Sequence, residues 1–237
     1  MTRAWMAVFA MTAPLLLAAQ EPKQKLTLVS DLPAFSYPAG GSAAELVEPD
    51  QRFAQLAVAM RRYVESVLAR YEIVDKDVLS DLVRVEATVD LLEGRDADAV
   101  KEFARFEDLA DSPSKKLAAA VPLAMLGARA KHRDRNSAEY RREVARRLRA
   151  ELDAEPFDAI GTDIRHQKES LAMPTRERVI GLVQSSIDPA VKQNGGTLDW
   201  QTARALLGAR FLLDGIIPLR ETLVEVYGRY LWAHQAD

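Results

Sequence analysis

From residue 50 onward, apolar side chains return every three or four positions, the spacing that gathers them on one face of a helix rather than on the two faces of a strand. The first stripe holds Phe53, Leu56, Ala57, Met60, Tyr63, Val64, Val67, Leu68 and Tyr71. A second, Val78, Leu79, Leu82, Val85, Val89 and Leu92, follows Asp75, whose carboxylate can accept from the open amides of a first turn. It stops at Gly94, a residue free to take the left-handed conformation that closes a helix. Asp96 is placed to cap a third helix, with Val100, Phe103, Phe106 and Leu109 inward, and so short a connection makes the two helices antiparallel neighbours.

Ser112 and Pro113 offer a cap followed by a first-turn proline, and the helix they open is apolar nearly all round from Leu117 to Leu126, which predicts a central position. Pro122 lacks an amide hydrogen and crowds the preceding turn, so a kink or break is expected there. After the polar stretch KHRDRNS, Asn136 and Glu139 stand at a capping-box spacing ahead of Tyr140, Val144, Leu148 and Leu152. Pro156 introduces Phe157, Ile160, Ile164 and Leu171; Pro174 introduces Val179, Ile180, Leu182, Val183 and Ile187. DPAVKQNGG is expected to interrupt the pattern from Asp188 to Gly196. Asp199 then caps a helix with Ala203, Leu206, Leu207 and Phe211, which Gly215 ends, and Pro218 starts the last, with Leu219, Leu223, Val226, Tyr227, Tyr230 and Leu231 inward. No hairpin turn separates alternating β-branched runs, so the fold class is all-α: eight or nine helices in antiparallel hairpins or an irregular bundle over 50–237, with a possible internal boundary near 131–137 or 153–156.

The first fifty residues do not follow this period. Residues 1–19 place Arg3 ahead of an uncharged apolar run ending in small residues, the build of a secretory signal peptide cleaved near Ala19. An uncleaved anchor is the alternative, but Thr12 and Pro14 interrupt the run and it is shorter than the ~20 apolar residues a bilayer crossing needs. The mature chain is therefore expected in the periplasm or outside the cell, without a stable membrane span. Residues 20–49 contain DLPAFSYPAGG, where Pro33 and Pro38 forbid helix and Leu32, Phe35 and Tyr37 are too apolar to be left in water. This predicts an extended arm laid across the helices, with a flexible linker as the alternative because PAGGSAAE has a linker's composition.

The 237 residues carry 32 Lys plus Arg against 35 Asp plus Glu, a net charge of −3 that gives no global reason to expect nucleic acid as a partner. Zero cysteines exclude disulfides, Cys-ligated zinc, iron–sulfur clusters and thiol nucleophiles. Asp163, His166 and Glu169, three apart on a helix, would stack two carboxylates and an imidazole on adjacent turns, half of a metal site. A carboxylate bundle site needs a second carboxylate-x-x-His pair, and His132 and His234 do not supply one, so no cofactor or metal is predicted and a solvated charged face is the simpler account. Ser112 and Lys115 fit S-x-x-K, but the partner motifs of that serine chemistry are missing and Ser112 reads as a cap. Arg141, Arg142, Arg146 and Arg149 concentrate charge on one helix, which could meet an anionic surface; Glu139 and Glu143 at helical spacing make a solvated, ion-paired face the competing explanation.

Two resemblances follow from particular stretches. LLEGRDADAVKEFARFEDLADSP resembles the middle and end of a tetratricopeptide repeat, with Gly94 at the turn and Ala99 and Phe103 four apart, although Phe106, Pro113, Glu86 and Asp90 depart from that pattern. Helical hairpins are implied, a repeat array is not. VQSSIDPAVKQNGGTLDWQTARALLGARFLLDGIIPLRETL is similar to helical regions that lie ahead of the catalytic domain in some large exported bacterial subtilisin-like serine proteases. That resemblance covers no catalytic residue, and it implies a non-catalytic accessory region packed against or organising another polypeptide. A free-standing periplasmic adaptor that binds proteins or peptides between hairpins is the second reading. A hydrolase or metalloenzyme built on Asp163, His166 and Glu169 is the third.

Overall fold

The computed structural model describes residues 23–27, 29–47, 51–171 and 175–234; the leader over 1–19, Asp50 and Pro174 lie outside them. The fold is all-α. Its helices are α1 (Ala43–Val47), α2 (Gln51–Arg70), α3 (Lys76–Glu93), α4 (Asp96–Leu109), α5 (Pro113–Arg129), α6 (Ala138–Asp153), α7 (Phe157–Leu171), α8 (Arg176–Leu182), α9 (Asp188–Gln193), α10 (Trp200–Phe211) and α11 (Arg220–His234). Four strands of two or three residues, β1 (Gln24–Leu26), β2 (Tyr37–Pro38), β3 (Tyr71–Ile73) and β4 (Thr197–Leu198), tie the arm to the helices. β1 pairs in parallel with β3, and β2 antiparallel with β4.

The locally encoded caps form as expected. Asp75 accepts from the amides of Asp77 at 2.7 Å and Val78 at 3.1 Å, Ser112 caps α5, and Asp199 accepts from the Thr202 amide at 2.8 Å. Gly94, at φ 75°, closes α3 and lets α4 fold back along it. Asp96 is different: it lies inside the first turn of α4, and its carboxylate goes 3.0 Å to the guanidinium of Arg129 rather than to its own helix amides. The same guanidinium donates to the Leu91 carbonyl at 3.1 Å, so one side chain joins the end of α5 to the α3–α4 turn. On α6 the cap is Ser137, which accepts from the Tyr140 amide, because Asn136 is held in a turn by Asp134. On α4, Ala99 faces inward and Val100 is exposed.

Three expected interruptions do not occur. α5 runs through Pro122 to Arg129; an interior proline costs roughly 3 kcal/mol, and burial of Leu117, Ala119, Ala120, Val121, Ala124, Met125 and Leu126 offsets it. The chain stays helical from Arg176 to Gln193 by widening into a π turn at Val183–Ile187, and only Gly195 and Gly196, both at positive φ, end it. Leu182 is left exposed. A second π turn, Leu212–Ile216, and a 3₁₀ turn at Ile217–Leu219 join α10 to α11. Gly215 therefore ends nothing: a Cβ there would lie 3.0 Å from Phe211 Cε2 and 3.1 Å from Met125 Cε, so this glycine allows the π turn to approach α5.

The arm lies on α2 and α10. Phe35 meets Tyr63 and Trp200 edge-on, with centroids 5.3 and 5.7 Å apart, and the Tyr63 hydroxyl donates to the Pro33 carbonyl at 2.7 Å. The stretch with a linker's composition ends in α1, whose Ala43, Ala44, Leu46 and Val47 are buried. Asp188 accepts from the Ala43 amide at 2.5 Å and the Ser42 hydroxyl at 2.8 Å, and Arg210 donates to the Val47 carbonyl at 2.6 Å. A five-residue helix is thus held at both ends by side chains far away in sequence.

Apolar packing forms three adjoining clusters. One joins the arm, α1, α2, α3 and α8 to α10; one joins α5, α6, α7 and α11; a smaller one lies between α3, α4 and α5. α3 and α5 each belong to two of them and together link all three.

Candidate functional site

The N-terminal half of α5 is the floor of a groove. Because α5 packs on α4 and α6 below, its upper side is left between α3 and α10 on one flank and α7, the second π turn and α11 on the other. Three adjoining hollows of about 500, 480 and 360 Å³ open over it, and Ala118 lines all three. These volumes are in the range that binds small ligands or a few side chains. Ala118 is exposed at the centre. Pro122, one turn on, has no amide hydrogen to return to the Ala118 carbonyl, so the floor of the groove carries a backbone acceptor without its usual helical partner.

The two ends of the groove differ chemically. At one end Lys115 bridges Asp77 at 2.7 Å and Asp111 at 3.0 Å, and these hydrogen bonds raise its pKa. Asp81 receives Arg84 at 3.0 Å and Arg204 at 2.9 Å, which joins α3 to α10. Here the charged groups are paired with one another. The other end is mostly apolar, walled by Leu117, Val121, Leu171, Leu212, Leu223 and Tyr227, with His166, Gln167 and Ser170 along its α7 edge. Burial raises the Tyr227 phenol well above its ordinary pKa, so it stays a neutral hydroxyl.

Asp163 and His166 border the charged end, whereas the exposed Glu169 does not line it, so the three do not converge. Among the described residues no group of three or more His, Asp or Glu is arranged to hold a metal ion. Asp163 instead accepts a hydrogen bond from Ser114, a contact that no local pattern marks because the two residues are 49 positions apart. Ser114, Asp163 and His166 share one hollow, but the serine donates directly to the carboxylate and not to the imidazole, so the proton relay of a serine hydrolase is not assembled. Ser112 accepts from the Lys115 amide as a cap, while the Lys115 ammonium is turned to Asp77 and Asp111. The S-x-x-K spacing therefore creates no activated serine.

Arg141, Arg142, Arg146 and Arg149 line a separate furrow of about 480 Å³ between α6 and α11. Arg142 pairs with Glu139 at 2.8 Å and Arg146 with Glu143 at 2.8 Å. Glu143 also receives Lys131 and Arg147, each at 2.9 Å, and Arg146, Lys131 and Arg147 together hold its carboxyl far below the usual range. No helix among the described residues is long and apolar enough to cross a membrane.

Compared with protein-family models, characterised proteins and solved structures, the chain matches none of them.

Proposed function

We propose that this chain is an exported, non-catalytic helical domain that takes a segment of another polypeptide into the groove over α5. The observation that carries this reading is the juxtaposition along one groove of an apolar wall, an exposed Ala118 floor with a backbone acceptor, and a rim of mutually paired charges. An apolar side chain of the segment would fill the Leu117–Val121–Tyr227 end, and its backbone amides would find an acceptor on the floor. The resemblance of the C-terminal third to regions ahead of subtilisin-like protease domains names such a catalytic domain as the partner class. The groove equally favours an adaptor that binds peptides from separate proteins.

Selection from a displayed random-peptide library tests the groove. Selected peptides should share a bulky apolar residue next to polar positions, and Ala118→Trp, which fills the floor from an exposed position, should weaken them by about tenfold or more. Binders indifferent to A118W would refute the groove as the site. Reading the open frame past Asp237 separates the two partner classes, and mass spectrometry of the exported protein reports whether the chain is cut near Ala19.

A further inference from the structure

The furrow between α6 and α11 has a different character from the α5 groove and stands apart from it. Five guanidiniums, those of Arg141, Arg142, Arg146, Arg149 and Arg229, line it with a single carboxylate, Glu225. Arg229 is paired with Glu225, and Arg142 and Arg146 with glutamates of α6. Arg141 and Arg149 are exposed and make no ion pair among the described residues. They stand about 12 Å apart along the helix at 1.5 Å per residue, at the two ends of the furrow wall. Between them the floor is small and apolar, with Ala145 of α6 and Val226 of α11. One helical turn past Arg229, on the same side of α11, Trp232 is 78% exposed.

We propose that this furrow is a docking surface for an acidic segment of another polypeptide, with Trp232 as an apolar anchor at its end. Guanidinium forks match carboxylates two bonds at a time, and two of those present have no acid among the described residues. Arg and Trp are also the side chains that most often carry binding energy between proteins. The concave shape favours a polypeptide over a bilayer: a chain laid along the furrow meets guanidiniums of both walls, those of α6 and Arg229 of α11. The local excess of positive charge occurs on a chain of net charge −3, so it would steer an acidic partner toward this face.

The probe is a fluorescein-labelled peptide of about ten glutamates ending in leucine, titrated into the full chain at low salt and followed by anisotropy. Binding is expected, weakened by about tenfold or more in Arg141→Glu/Arg149→Glu and about threefold in Trp232→Ala, with no more than a twofold change in the equally charged Arg133→Glu/Arg135→Glu. All four arginines are exposed, so circular dichroism should show each variant folded. Absence of binding to the native chain, or equal losses in the two double variants, overturns the proposal. So does arginine-dependent sedimentation with vesicles of one part phosphatidylglycerol to three parts phosphatidylcholine when the peptide does not bind.

Discussion

The arm side of the molecule and its α6–α11 side use polar groups in opposite ways. On the arm side, few polar bonds each join distant segments: Arg210 to the Val47 carbonyl, Asp188 to the Ala43 amide, Tyr63 to the Pro33 carbonyl. Arg210 is buried, lies 5.4 Å over the Phe53 ring and is paired with Asp214. On the α6–α11 side, helix packing through Tyr140, Val144, Leu148, Leu152, Val226 and Tyr230 holds the structure, and charges form short-range pairs along exposed faces. Irregular chain needs specific buried polar links because its backbone groups have no ladder to satisfy them. A helix satisfies its own backbone, which leaves its surface charges available for partners.

The contrast breaks most visibly at Arg210. Arg210→Ala leaves a buried carbonyl and Asp214 without their donor, and about 3 kcal/mol of stability should be lost in urea unfolding. A loss no larger than that of a surface substitution would mean the arm side is held by apolar contact alone. Phe35→Ala should cost about 2 kcal/mol and expose residues 31–41 to proteolysis, since the ring is the arm's aromatic contact with Tyr63 and Trp200.

Acidity sharpens the comparison. Glu86 lies half-buried between α2 and α4, and burial followed by Glu102, Asp90 and Glu65 pushes its carboxyl up to about 7 from an ordinary 4.5. Its folded-state pKa is raised, so its contribution is complete below about 4.5 and is lost as pH rises through about 7. With solvent screening, raising the pH from about 5 to 8 should cost on the order of 1 kcal/mol, and Glu86→Gln should flatten most of that slope. Glu143 has the reverse sign: its depressed pKa gives a contribution present above the ordinary carboxylate value and lost as pH falls below it. The smallest effect belongs to the furrow, where R141E/R149E should change stability by less than about 0.5 kcal/mol, since both arginines are exposed and neither makes an ion pair among the described residues.

What could be read from the chain in advance was what is decided within a few residues. Asp75, Ser112 and Asp199 cap because the amides they serve lie two or three positions away. The stripe Tyr140, Val144, Leu148, Leu152 is buried in full because one face of α6 meets one core. The π turns were hidden, since widening a turn by one residue responds to tertiary packing: Gly215 reads as a stop but serves a close approach to Met125. α1 was equally hidden, because both its ends are satisfied from beyond residue 180. The groove needs α3, α5, α7, α10 and α11 together, so neither Ala118 nor the Ser114–Asp163 bond is marked by local pattern. The four arginines were visible as a charged face; that they line a channel depends on α11.

The claim that the α5 groove receives a polypeptide is tested most directly by amide hydrogen exchange of the full chain with and without a library-selected peptide. Protection should appear along 114–122 and on the facing walls at 166–171 and 208–216, and vanish in A118W. Protection confined to the arm or to α6, with α5 unchanged, would contradict it.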